Sequence, residues 1–228
     1  MFNPSRIADV FEVTLSTAVE RVSVQPGQRI QVYSSVATAI LFGDNTGTPS
    51  LTPQVAAAGT LTSDDVFLAT ETVTIDGQVY TFRASLTNGG LANEVLIGVN
   101  QTASHLNLQS AINGLQSGRG TTYGAPTVAH ASVWGSAVSG TTTVVRAKRG
   151  GANGNLIATT ETCGHAAWGA AVLASGAGAY GQIALAAGQA REFIVPARTP
   201  GDQVTGKAVT SLAAIAGGAG TFTVIVLA

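Results

Sequence analysis

Turn signals interrupt this chain so often that most intervals between them hold a strand or a short helix and nothing longer. In the N-terminal third, Glu12-Val13-Thr14-Leu15 and Glu20-Arg21-Val22-Ser23-Val24 predict strands. The second is closed by Gln25-Pro26-Gly27-Gln28, a strong turn sequence. Arg29-Ile30-Gln31-Val32-Tyr33 alternates polar and apolar side chains, the period of a strand buried on one face. Residues 37–42 predict another short strand, ending at Gly43-Asp44-Asn45-Thr46-Gly47, and residues 43–60 read as turn-rich, with Pro49 and Pro53. The final apolar run, residues 222–227, is again strand length, and no run approaches the roughly 18 residues of a membrane span.

The middle of the chain has a different character. Val73-Thr74-Ile75 and Gln78-Val79-Tyr80-Thr81-Phe82 flank Asp76-Gly77, a pair that tolerates the positive φ of a type I′ turn and so predicts a hairpin. Leu108, Ala111, Ile112 and Leu115 share one face of a short amphipathic helix, with Ser104 as its cap and Gly118 beyond its end. Residues 141–147 predict a strand, 150–155 a loop and 156–161 another strand. Residues 174–181, rich in Gly and Ala, read as a linker. After it the strand-and-turn style returns, with Glu192-Phe193-Ile194-Val195 stopping at Pro196. Each outer segment has too few strands for a sandwich of its own. The expected fold is therefore mainly β: an outer β-sandwich, jelly-roll-like, formed by residues 1–64 and 177–228, with a small α+β domain carrying one helix inserted at residues 65–176.

The stretch Thr72-Val73-Thr74-Ile75-Asp76-Gly77-Gln78-Val79-Tyr80-Thr81-Phe82 carries a resemblance. Together with Asn93-Glu94-Val95-Leu96-Ile97-Gly98, the helix at 107–115 and residues 150–162, it resembles a module recurrent in virion proteins of tailed bacteriophages. The shared pattern is VTIGG-x-YTF, EVLIG, L-x-x-AIN and AGA-x-GN-x-I, matched here at residues 73–82, 94–98, 108–113 and 151–157. The match covers under half of the 228 residues. The outer segments, with residues 188–197 and the Gly-rich 217–220 before a last strand, look like capsid-decoration and accessory proteins built as β-sandwiches. The resemblance implies a non-enzymatic structural protein of the virion, assembled in the host cytoplasm. It implies a capsid decoration or cement protein whose partners are the major capsid protein and further copies of itself, as a trimer. A tail or neck component (tube, adaptor or fibre-base protein) and a host-glycan or receptor-binding module are the alternatives.

Composition agrees with repeated, shape-matched contacts. Only 10% of residues are charged, against roughly 25% in typical soluble proteins. Eleven basic and 12 acidic residues give a net charge of -1. A pI near 6.3 supplies no global basic footprint, so neither nucleic acid nor a membrane surface is an expected partner. Cys163 is the lone cysteine, which excludes an intramolecular disulfide framework. Residues 1–6 lack the basic and apolar regions of a signal peptide, and a reducing cytosol is the default compartment.

No catalytic residue, cofactor or metal site is expected. Gly176-x-Gly178-x-x-Gly181, with Asp202 beyond it, matches the dinucleotide fingerprint but lacks the strand before it and the helix after it that would carry a pyrophosphate. Cys163 and His165 suggest half a zinc site or a thiol–imidazole pair, yet His105 and His130 are the only other Cys or His residues in the sequence. Asp64 and Asp65, with Glu71 nearby, read as a solvated turn rather than a catalytic pair, and Gly43-Asp44-Asn45-Thr46-Gly47 lacks the spacing of a calcium loop. Asn100-Gln101-Thr102 fits a glycosylation sequon without the secretory context that would use it. Arg146, Lys148 and Arg149 form the one basic cluster, with no aromatic platform interleaved. Trp134 and Trp168 are large anchors for the core of the insert or for an interface. Trp134, Tyr123, Arg146, Lys148 and Arg149 are the interface candidates.

Overall fold

The computed structural model describes residues 7–43, 49, 52–179, 181–196 and 211–227. The chain begins with β1 (Ile7–Leu15), β2 (Glu20–Ser23), β3 (Arg29–Ser34) and β4 (Thr38–Gly43). A central run follows: β5 (Ala58–Ser63), β6 (Thr72–Ile75), β7 (Gln78–Arg83), β8 (Glu94–Leu96), α1 (Gln101–Asn113), β9 (Val133–Ser139), β10 (Thr142–Ala147), β11 (Thr159–Glu161) and β12 (Ala166–Trp168). The described strands end with β13 (Ile183–Leu185), β14 (Ala190–Ile194), β15 (Ser211–Ala216) and β16 (Gly220–Leu227). Mainly β, with a single α-helix among the described residues, the chain divides into two units, Met1–Gln54 with Gly178–Ala228 and Val55–Ala177.

In the first unit the antiparallel pairs are nested: β1 with β16, β2 with β15, β3 with β14 and β4 with β13. Nesting of this kind is one long hairpin. Further pairs, β3 with β16 and β4 with β15, roll that hairpin into two sheets ordered β1-β16-β3-β14 and β13-β4-β15-β2. Eight strands in this arrangement are a jelly roll. Period-two burial drives it. Ile30 and Val32 of β3 and Phe222, Val224 and Val226 of β16 face Ile40 and Phe42 of β4 and Leu212 and Ala214 of β15 across a shared core.

The second unit occupies the tip of that hairpin in the sequence. Its ends are tied to each other, since the N–H of Val55 donates to the carbonyl of Ala177 at 2.9 Å and the N–H of Ala177 to that of Val55 at 3.1 Å. The sequence boundary at 64/65 places β5 with the outer segment. The structure puts it in the second unit, where it pairs with β10 and β12, partners too distant in sequence for local patterning to reveal. Residues 174–177, read as linker, are likewise part of this unit, hydrogen-bonded to Val55 and Ala58.

Two sheets, β12-β5-β10-β9 and β11-β6-β7-β8, enclose the core of the second unit. All their pairs are antiparallel except β7 with β8. The core holds Leu61, Phe67, Val73, Ile75, Tyr80, Phe82, Val95, Leu108, Ile112 and Val145, with Phe67 stacked on Phe82 at 3.9 Å between ring centroids. The β6–β7 hairpin turns at Asp76 (φ 47°) and Gly77 (φ 80°), the two positive values that a type I′ turn requires. Asn100, not Ser104, caps α1, accepting the N–H of Ala103 at 2.8 Å. Ser104 sits within the first turn and accepts the N–H of Gly98. The helix stops at Gly114 in the left-handed conformation rather than at Gly118, leaving Leu115 outside it and exposed. No helix among the described residues is long and apolar enough to cross a membrane.

Candidate functional site

The basic cluster is placed by an irregularity between β9 and β10. Their register shifts between Val144 and Val145, so that Val144 faces Ala137 and Val145 faces Gly135, with Ser136 the extra residue. Such a bulge reverses which side chains face outward. On the near side of it, Val133 and Gly135 point into the core, against which Gln109 of α1 packs, and Trp134 turns to solvent, 43% exposed. Arg146 lies directly across the ladder from Trp134 and is exposed as well. Its guanidinium makes no hydrogen bond or ion pair with any described residue.

The ladder continues one step past β10. The N–H of Lys148 donates to the carbonyl of Ser132 at 2.8 Å, which keeps Lys148 on the same outward face as Arg146. Strand rise puts the two about 7 Å apart. The Lys148 ammonium donates to the carbonyl of His130 and keeps two further N–H donors. His130 itself is buried. Its Nδ1 accepts the N–H groups of Ser132 (3.1 Å) and Val133 (3.3 Å), so its Nε2 carries the proton that is donated to the carbonyl of Ile75 at 2.9 Å. The ring thereby fixes the backbone that enters β9. Beside it, Ser132, Lys148, Arg149, Asn153 and Ile157 line a pocket of about 430 Å³, and the Ser132 hydroxyl donates to the carboxylate of Asp76 at its edge.

Thus the aromatic side chain absent from the local sequence around Arg146, Lys148 and Arg149 is supplied across the strand by Trp134. Tyr123 is not part of this surface. It is fully buried, its hydroxyl donating to the carbonyl of Leu115 at 2.6 Å, which corrects its reading as an exposed contact residue. Trp168 is half-buried against Leu173 and Gly59, its indole N–H donating to the carbonyl of Thr160.

A second groove, about 420 Å³, is lined by Asp64, Glu161, Cys163 and His165. His165 Nδ1 meets Asp64 Oδ1 at 3.2 Å, while the Cys163 thiol points to the carbonyl of Thr72. Burial, reinforced by Glu71 and Glu161, pushes that thiol up to about 12, so it stays protonated and is a poor nucleophile or metal ligand. Glu71 does not join Asp64 and Asp65 in a cluster. Glu71 is buried, and its carboxylate accepts the N–H groups of Leu68 and Gly164, both at 2.7 Å. Among the described residues no group of three or more His, Cys, Asp or Glu is arranged to hold a metal.

Gly176 of the apparent dinucleotide fingerprint is held by packing instead. A Cβ there would lie 2.6 Å from the carbonyl oxygen of Gly151 and 2.9 Å from Asn155 Oδ1. The Asn155 amide clamps it on both sides, accepting its N–H at 2.8 Å and donating to its carbonyl at 3.0 Å. Asn100 of the sequon is occupied in capping α1. Asp202 and residues 44–47 of the suggested calcium loop lie outside the described residues.

One buried constellation has no signal in the sequence. His105 of α1 bridges Ser63 of β5 (Nε2 to Oγ, 2.9 Å) and Thr143 of β10 (Nδ1 to Oγ1, 2.7 Å), with its ring edge against Phe67. Burial pulls its pKa down to about 4, so it is neutral and a weak base. It pins helix to sheet. A scan against protein-family models, a search of curated proteins and a search of solved structures each return no match.

Proposed function

We propose that the chain is a structural, non-enzymatic protein of a tailed-bacteriophage virion, working as a decoration or cement protein that binds the major capsid protein as a homo-oligomer, with a trimer as the expected state. The observation that supports this reading is where the resembling residues fall. The hairpin β6–β7, β8, α1 and the Ala152–Leu156 turn all belong to one unit, and they supply Val73, Ile75, Tyr80, Phe82, Val95, Leu108 and Ile112 of its core. A pattern made of core and turn positions describes a building block rather than a reaction centre. The jelly roll of the other unit adds a fold-level analogy, since that architecture recurs in capsid proteins as well as lectins.

The test is structural and thermal. In a cryo-EM reconstruction of phage particles, density for this chain repeats over the icosahedral shell, and capsids lacking it rupture at lower temperature. Density confined to the neck or tail would assign the chain to that apparatus. Unchanged capsid melting would remove the cement role.

A further inference from the structure

We propose that the outward corner of the β9–β10 ladder binds an acidic sugar, with one pyranose ring stacked on Trp134 and its carboxylate held by Arg146 and Lys148. Three observations converge there. Trp134 is an exposed aromatic side chain directly across the ladder from Arg146, whose guanidinium no described residue engages. Lys148 and Arg149, two more of the chain's 11 basic residues, continue the same surface into the pocket. That pocket is about 430 Å³, toward the small end of ligand sites and suited to one or two sugar rings.

The other groups present discriminate between anions. Arg146 offers a planar fork for a carboxylate, and the C–H face of a pyranose is the complement of an indole. Asn153 and the Asp76–Ser132 pair add an amide and a carboxylate, which suit hydroxyl groups. A nucleic acid fits less well. With a phosphate at every nucleotide it would meet Asp76, and three cations in a chain of net charge -1 give little counterion release. A sparsely charged glycan, one carboxylate per sugar, matches the count.

The purified full chain can be titrated with oligogalacturonate and with oligosialate, each beside its neutral methyl ester. A Trp168→Phe background leaves Trp134 as the sole tryptophan to report ring contact. The expected result is saturable binding of an acidic probe with a change in Trp134 fluorescence, weaker in high salt and absent with the ester. Trp134→Ala and Arg146→Gln each lower the affinity ~10-fold or more, with melting temperatures unchanged because both side chains face solvent. Arg119→Gln, a remote exposed cation, leaves binding intact. No saturable binding of either acidic probe up to ~10 mM would overturn the proposal. Equal binding of the esters, insensitivity to both variants, or preferential binding of a single-stranded oligonucleotide would do the same. These outcomes are read on the isolated chain, independently of any attachment to a capsid.

Discussion

At Cys163 and His105 burial, more than any neighbouring charge, sets the protonation state. For Cys163, a thiol held near 12 rather than near 9 has a thiolate fraction at pH 8 lower by about three orders of magnitude. Labelling with a disulfide reagent is therefore expected to be slow in the native chain and fast in urea; comparable rates in both would contradict the described environment. For His105 the folded value near 4 lies below the ordinary imidazole value of 6.5, so between these limits the unfolded chain binds a proton that the folded chain refuses. Stability is full above about pH 6.5 and falls as the pH drops toward 4, by up to ~3 kcal/mol from this residue. Urea unfolding at pH 7.5 and 4.5 measures the loss, and His105→Gln should flatten the slope in that window. Asn155 offers a simpler test. Removing its two hydrogen bonds to Gly176 by Asn155→Ala is expected to cost about 2 kcal/mol in chemical denaturation.

Among elements, the β6–β7 hairpin should depend on its turn. A Cβ at Gly77 meets nothing within 4 Å, so Gly77→Ala costs only the backbone strain of φ +80°, about 1–2 kcal/mol by thermal unfolding. That hairpin was also the most legible part of the chain, because Asp76-Gly77 and the alternating flanks agree with each other. Strand β3 was legible for the same reason of clean alternation. Strand β15 was not. Leu212, Ala213 and Ala214 are all buried, so both faces are covered, and a run of small residues shows neither alternation nor β-propensity. The candidate site was half legible: the cations are adjacent in sequence, but their alignment with Trp134 depends on a bulge that a period-two reading cannot foresee. The ends of α1 were misjudged because Ser104 and Gly118 carry the right chemistry at the wrong offsets, while Asn100 and Gly114 do the capping.

The two units each have a hydrophobic core of their own. The ends of the second, Val55 and Ala177, are hydrogen-bonded to each other, so residues 55–177 expressed alone are expected to fold cooperatively. Amide-exchange protection matching that of the full chain would establish this, and loss of protection across β5–β12 would refute it. The first unit cannot be cut out so simply, since its strands come from both sides of the second.

Nested pairing has a kinetic corollary. Among the described strands β1 pairs with the distant β16, so the jelly roll has high contact order and cannot close until β16 has been synthesised. The intervening 55–177 unit can fold well before that, and its paired ends, Val55 and Ala177, then shorten the effective loop in sequence between β4 and β13. The insertion thus lowers the loop-closure entropy of the hairpin that carries it. With the β4–β13 pair closed first, the remaining pairs of the nested hairpin follow in order, β3 with β14, β2 with β15 and β1 with β16.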